Sequence, residues 1–253
     1  MIASIRYAQR IQEATLPTQK RLKKYLPEHF ILYKPRDIVS GDFYWFLKKQ
    51  GKAFLVVADC TGHGVPGAFM AMLGITSLNY LIGVNDLTAP AKILKKLDGQ
   101  ISAALNQKTE KNLNYDGMVL AMCVFDFEQR KLTFASAERP LYIVRGKHLT
   151  KIQGNKHIIG GNIVETTKSF TQQEVPIEKN DMLYLFSDGY TDQFGGGIKK
   201  KKFSTRRFQN LLCDIAHLPP EEQSIMLEKT LQEWQGSHPQ IDDILVVGLK
   251  ISF

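Results

Sequence analysis

From Phe30 onward the chain is built of short apolar runs: Phe30–Tyr33, Asp42–Leu47, Ala53–Ala58, Met118–Phe125, Lys131–Ala135, Leu141–Val144, Met182–Phe186 and Ile244–Ile251. Runs of this length, rich in β-branched and aromatic residues and bounded by turn residues, predict strands. Apolar residues at helical spacing fall between them, at about 66–82, 88–107, 204–216 and 220–234, and predict helices. The connectors Lys48-Lys49-Gln50-Gly51, Glu128-Gln129-Arg130 and Arg145-Gly146-Lys147 are short, so neighbouring strands are expected to pair as antiparallel hairpins. Strands grouped with strands and helices with helices predict an α+β sandwich rather than a doubly wound parallel sheet.

The N-terminus follows a different pattern. Ile2, Ile5, Ala8, Ile11 and Ala14 recur every three residues and draw an apolar stripe along a helix that ends at Leu16-Pro17. No capping residue precedes it. Two readings stand: the end of a longer signalling helix that pairs with a second copy, or a helix packed on its own domain. The expected organisation is an N-terminal helix and linker over residues 1–28, then one domain over residues 29–253.

Composition narrows the class. Three cysteines, Cys60, Cys123 and Cys213, are odd in number and far apart, which predicts neither a disulfide framework nor a zinc site and suggests a reducing, cytoplasmic setting. No apolar run is expected to span a bilayer, and the N-terminus lacks a signal-peptide core, so the chain reads as cytoplasmic or as the cytoplasmic part of a larger sensor protein. The formal net charge of +8 is spread along the chain; the dense Lys199–Lys202 run reads as a solvated loop, and no nucleic-acid partner is expected.

Acidic residues at strand ends carry the chemistry. Asp42 follows Val39-Ser40-Gly41, Asp59 ends Leu55-Val56-Val57-Ala58, Asp188 sits in Phe186-Ser187-Asp188-Gly189, and Asp242-Asp243 precedes Ile244-Leu245-Val246-Val247. Carboxylates there are costly to desolvate without a compensating positive charge, and no Lys or Arg adjoins the last three in sequence. Hard divalent cations would compensate them, and all-oxygen ligands suit Mg²⁺ or Mn²⁺ rather than zinc. The glycine run Gly62-His63-Gly64-Val65-Pro66-Gly67, with Asp86 further on, has the form of a dinucleotide fingerprint. Asp59 has the wrong sign beside a pyrophosphate, and the hairpin-rich remainder lacks βαβ units. The other reading is a sharp turn that lets Asp59 and the Cys60 carbonyl face a metal. His63 either orients a water or phosphate or caps the turn.

At these residues the sequence resembles the PPM family of metal-dependent serine/threonine phosphatases, in its bacterial SpoIIE-type branch. The motifs are Lys34-Pro35-Arg36-Asp37-Ile38-Val39-Ser40-Gly41-Asp42, Val57-Ala58-Asp59-Cys60-Thr61-Gly62-His63-Gly64-Val65-Pro66-Gly67, Phe186-Ser187-Asp188-Gly189-Tyr190-Thr191-Asp192 and Asp242-Asp243-Ile244-Leu245-Val246-Val247, in the family's order.

The resemblance implies an α-β-β-α sandwich with two Mn²⁺ or Mg²⁺ ions at one edge, held by Asp42, Asp59, the Cys60 carbonyl, Asp188 and Asp242. Asp243 stands where many relatives carry an amide, and Asp116 lies near where some bind a further metal. Cys60 replaces the family's usual glycine and would place a thiol beside the metals. Lys34 or Arg36 would reach the phosphate; Asp192 and the Gly195-Gly196-Gly197 loop belong to a stretch that varies among relatives. The implied activity is hydrolysis of phosphoserine or phosphothreonine on a signalling protein, such as an anti-sigma-factor antagonist, by a metal-activated water. The alternatives are a catalytically silent binding module and, remotely, dinucleotide binding through Gly62, Gly64 and Gly67.

Overall fold

The β-rich runs become strands because both of their faces are buried, and they assemble into two large antiparallel sheets, beside a small two-stranded one formed by Phe194–Gly195 and Lys201–Lys202, in a computed structural model that describes residues 2–107, 114–161, 168–197 and 200–252. In chain order the first elements are helices α1 (Ile2–Thr15) and α2 (Gln19–Tyr25), strands β1 (His29–Lys34), β2 (Phe43–Lys49) and β3 (Lys52–Cys60), and helix α3 (Gly64–Leu78), which runs into a π-helical turn (Asn79–Val84). Then come α4 (Pro90–Ala104), β4 (Gly117–Asp126), β5 (Lys131–Ala137), β6 (Leu141–Arg145), β7 (His148–Ile152), β8 (Ile159–Gly160), β9 (Gln173–Val175) and β10 (Met182–Phe186). The chain closes with the short α5 (Gly189–Asp192), β11 (Phe194–Gly195), β12 (Lys201–Lys202), α6 (Thr205–Ile215), α7 (Pro220–Gln235) and β13 (Ile244–Lys250).

One sheet has the order β2-β3-β4-β5-β9, with β8 on β4; the other runs β1-β13-β10-β6-β7. Successive side chains point to opposite faces. On β2 and β3, therefore, Tyr44, Phe46, Leu55 and Val57 fill the space between the sheets, where they meet Leu183, Leu185, Leu245 and Val247. Phe43, Trp45, Phe54 and Val56 lie under α3 and α4. The outer face of the second sheet, with Tyr142, Tyr184 and Phe186, is covered by Phe208, Leu212, Leu227 and Leu231 of α6 and α7. The layers are α-β-β-α, as expected. Each fully buried Leu, Val, Ile or Phe contributes about 1.5–3 kcal/mol.

Three expectations change. Leu22 and Leu26 are buried between the sheets, so α2 belongs to the sandwich and the packing does not break at residue 28. The segment Gly64–Val84 is 21 residues long, uncharged and apolar enough by length and composition to cross a membrane, contrary to the expectation that no run approaches that length; half of it is buried because α3 covers a sheet. The Lys199–Lys202 run is not wholly a loop. Lys201 and Lys202 form β12, and Lys202 pairs with Asp192 at 2.6 Å, while Lys199 lies outside the described residues.

Helix α1 touches the sandwich at its C-terminal end. Gln12, the buried residue of this helix, donates to the Ser40 carbonyl at 2.7 Å and accepts from the Ser40 N–H at 3.0 Å, and Thr15 meets Met72. The predicted stripe stays largely in solvent, with Ile2 63% and Ile11 48% exposed.

Candidate active site

The antiparallel order places ends and beginnings of strands together. Phe43 at the start of β2 pairs with Ala58 near the end of β3, and Phe186 at the end of β10 pairs with Val246 near the start of β13. Asp42 and Asp59 thus leave one sheet where Asp188 and Asp242 leave the other, and a cleft of about 270 Å³ opens there. Asp59, Cys60, Thr61, His63, Arg139, Asp188 and Asp242 line it. Asp42 lies behind this wall, and Asp243 and Asp116 are outside the lining.

The glycine motif makes this approach possible. Gly62 and Gly64 adopt φ of +82° and +62°, and a Cβ on Gly67 would stand 2.3 Å from the Gly62 carbonyl oxygen and 2.9 Å from the Gly41 Cα. Glycine alone allows the turn and the contact. The motif thereby packs the loop after Asp59 against the loop before Asp42. Its strands run antiparallel, and Asp86 pairs with Lys49 at 2.6 Å, so the dinucleotide reading is overturned.

Asp42 is only 2% exposed, and Ser187 hydrogen-bonds to it, yet its Oδ2 is buried without a partner. Burial, then the neighbouring Asp59, pushes its pKa well up. Burial also pushes Asp59 up to about 7 against the opposing pull of Arg139, and raises Asp242. A cluster of buried acids with an orphaned oxygen is what an oxygen-liganded cation would relieve, so the residues fit Mn²⁺ or Mg²⁺. The Cys60 carbonyl is also available. Thr61 N–H bonds the Gly117 carbonyl at 2.9 Å, and the alternation of the ladder turns the Cys60 carbonyl away from β4, toward the Asp42 side.

Arg139, which the sequence reading did not single out, is the basic residue of the cleft. On the connection from β5 to β6, it donates from Nη2 to Asp59 and, at 2.8 Å, to Asp188. Sequence distance hid it: Arg139 is 80 residues from Asp59 and 49 from Asp188. Among the described residues no three His, Cys, Asp or Glu side chains form a ready-made metal cluster. The guanidinium stands between two of the acids instead.

Both oxygens of Asp243 accept backbone N–H groups, Oδ1 from Arg36 and Oδ2 from Gly41, each at 2.7 Å, so this side chain clamps the 36–41 loop. The Asp116 carbonyl accepts from Gln107 and Gly161, which ties the start of β4 to β8. His63 does not cap α3: its Nδ1 lies 2.7 Å from Asp37 Oδ2 at the cleft mouth. Lys34 pairs with Glu228 on α7 at 2.5 Å, and Arg139, not Lys34, reaches the acids. The Cys60 thiol packs in the core beneath α3, and burial pushes its pKa well up.

An α-β-β-α sandwich with an acidic cleft where both sheets end is the architecture of PP2C-type phosphatase domains. The SiaA PP2C domain of Pseudomonas aeruginosa superposes with a TM-score of 0.88 at 35% identity, covering 99% of this chain and 96% of that one. The PP2C phosphatase domain of SpoIIE from Bacillus subtilis, solved with a fragment of its regulatory domain, shares the fold at a TM-score of 0.70 and 18% identity, covering 88% of this chain and 63% of that one. Phosphoserine phosphatase RsbU of Bacillus subtilis strain 168 is 27% identical over 164 residues, which is 62% of this chain and 44% of that protein. The chain thus spans less than half the length of this curated relative. The family model of stage II sporulation protein E matches residues 49–252. The chain belongs to the SpoIIE family.

Proposed function

We propose that this domain removes phosphate from phosphoserine or phosphothreonine on a signalling protein, with two divalent cations, Mn²⁺ or Mg²⁺, held by Asp42, Asp59, Asp188, Asp242 and the carbonyl of Cys60. The observation that carries the reading is the buried, unpartnered oxygen of Asp42 behind a wall of three further aspartates. When bound, the cations supply an activated water and neutralise the phosphoryl oxygens. As carboxylates, Asp42 and Asp59 would hold the charge of the cations in place. His63, steadied by Asp37 at the mouth, orients the incoming phosphate. Phosphoryl transfer asks for positioning and charge more than for a protein nucleophile, in keeping with a cleft whose cysteine faces the core.

Likeness to a phosphoserine phosphatase supports a phosphoserine substrate, and the family resemblance supports a small anti-sigma-factor antagonist in the cytoplasm. The test is release of phosphate from a phosphoserine-bearing antagonist. Chelation should abolish the rate, Mn²⁺ or Mg²⁺ should restore it, and Zn²⁺ should restore little, because an all-oxygen site favours harder ions. A rate that survives chelation, or is highest with zinc, contradicts the reading; metal binding without turnover would make the domain a silent module.

Helix α1 is proposed as the link to an upstream sensor module and to a second copy of the chain. Its exposed stripe offers a pairing face, and Gln12 grips Ser40 two residues from Asp42. A three-residue spacing drifts from the 3.5-residue seam of a coiled coil, so pairing over this length is weak. A chain beginning at Pro17 should lose concentration-dependent dimer in light scattering and change its phosphatase rate. Identical mass and identical rate for the two chains would leave α1 a local packing helix.

A further inference from the structure

Arg139 stands where a cation is expected. Its Nη2 alone serves Asp59 at the end of β3 and Asp188 beyond β10, and so ties the two sheets together across the cleft. The side chain is 17% exposed, and its Nε is buried without a partner. The backbone holds it there: Glu138 sits at φ +64° with its N–H on the Asn155 carbonyl, Arg139 N–H bonds the Ala137 carbonyl at 2.8 Å, and Pro140 follows.

We propose that Arg139 is an internal counter-cation that competes with a metal ion for Asp59 and Asp188, and that on metal entry its guanidinium passes to the phosphoryl oxygens of the substrate. This rests on the metal-centre reading given above. Asp59 and Asp188 together draw on one guanidinium nitrogen, whereas a metal ion would take up the same oxygens directly, so the two occupants exclude each other. A displaced guanidinium, left with an unpartnered Nε and the N–H groups of both Nη nitrogens in a half-closed cleft, needs acceptors. Its planar fork matches two oxygens of a phosphate, and a buried charge without a partner is costly. Phosphate and metal therefore strengthen each other's binding, and the coupling is reciprocal. Arg139 thus disfavours metal loading while the cleft lacks phosphate.

The experiment is calorimetric titration of the full chain with Mn²⁺, with and without inorganic phosphate, for wild type, Arg139→Gln and Arg139→Lys. In wild type, phosphate should tighten Mn²⁺ binding about tenfold or more. In Arg139→Gln, Mn²⁺ should bind about tenfold tighter without phosphate, and the tightening by phosphate should fall below the wild-type factor to what direct contact between phosphate and the ion supplies. Arg139→Lys keeps the charge but loses the fork, so it should bind Mn²⁺ as wild type does with reduced coupling. It also guards against an unfolded glutamine variant. If Mn²⁺ binds Arg139→Gln no tighter than wild type, or phosphate coupling is unchanged, the competition is refuted while the metal centre stands. Failure of all three folded chains to bind Mn²⁺ overturns both.

Discussion

Asp59→Asn and Asp188→Asn should each lower metal-dependent phosphate release by more than about 100-fold while the domain stays folded. Loss of a group that merely orients a ligand costs about 10–100-fold in affinity or activity, so loss of a ligand should exceed that. The fold should survive because both side chains stand at strand ends facing the cleft, 19% and 42% exposed, rather than in either core. Asparagine keeps the volume and one oxygen but not the charge. Neither variant gives Arg139 its full pair of carboxylates, so both should also show altered Mn²⁺ binding. Phosphate release and circular dichroism, measured side by side, check the prediction. Either variant retaining activity within tenfold of wild type would remove that residue from the site.

Asp243→Ala should destabilise the domain by about 2–5 kcal/mol, because it strips the Arg36 and Gly41 N–H groups of their acceptor, and each unsatisfied buried group costs about 1–3 kcal/mol. Asp243→Asn should cost roughly half as much, because the amide still offers one oxygen but turns its NH₂ toward the second N–H. The expected signature is a lowered midpoint in urea with an unchanged slope, and lost activity that tracks the unfolded fraction. Asp242→Asn should do the reverse, keeping stability and losing rate, since Asp242 lines the cleft. If Asp243→Asn instead lost activity at full stability, Asp243 would return to the metal shell. Adjacent positions in the sequence thus have different tasks: one faces the cleft, and the other locks the loop that delivers Asp42.

Eight strands and four long helices were legible because each is a continuous or periodic apolar pattern of the right length, and strands buried on both faces read as unbroken runs. The elements that were not legible lack such a pattern. In β7, His148–Ile152, the burial is only partial, and α2 is a seven-residue helix with four basic residues that buries Leu22 and, just past its end, Leu26. The stripe on α1 was legible as a helix but left open what covers it: within the domain the residue the helix buries is the polar Gln12, since Ser40 offers a donor and an acceptor there.

The sequence by itself determined the order and type of the main elements, the strand-end positions of the aspartates and the turn at Gly62, because each depends on residues adjacent in the chain. Tertiary structure alone decided which charges meet. Arg139 reaches Asp59 and Asp188, Asp243 reaches Arg36 and Gly41 across more than 200 residues, and His63 turns to Asp37 instead of its own helix. Electrostatic and hydrogen-bond energies depend on distance and desolvation in space, and antiparallel pairing of remote strands sets both.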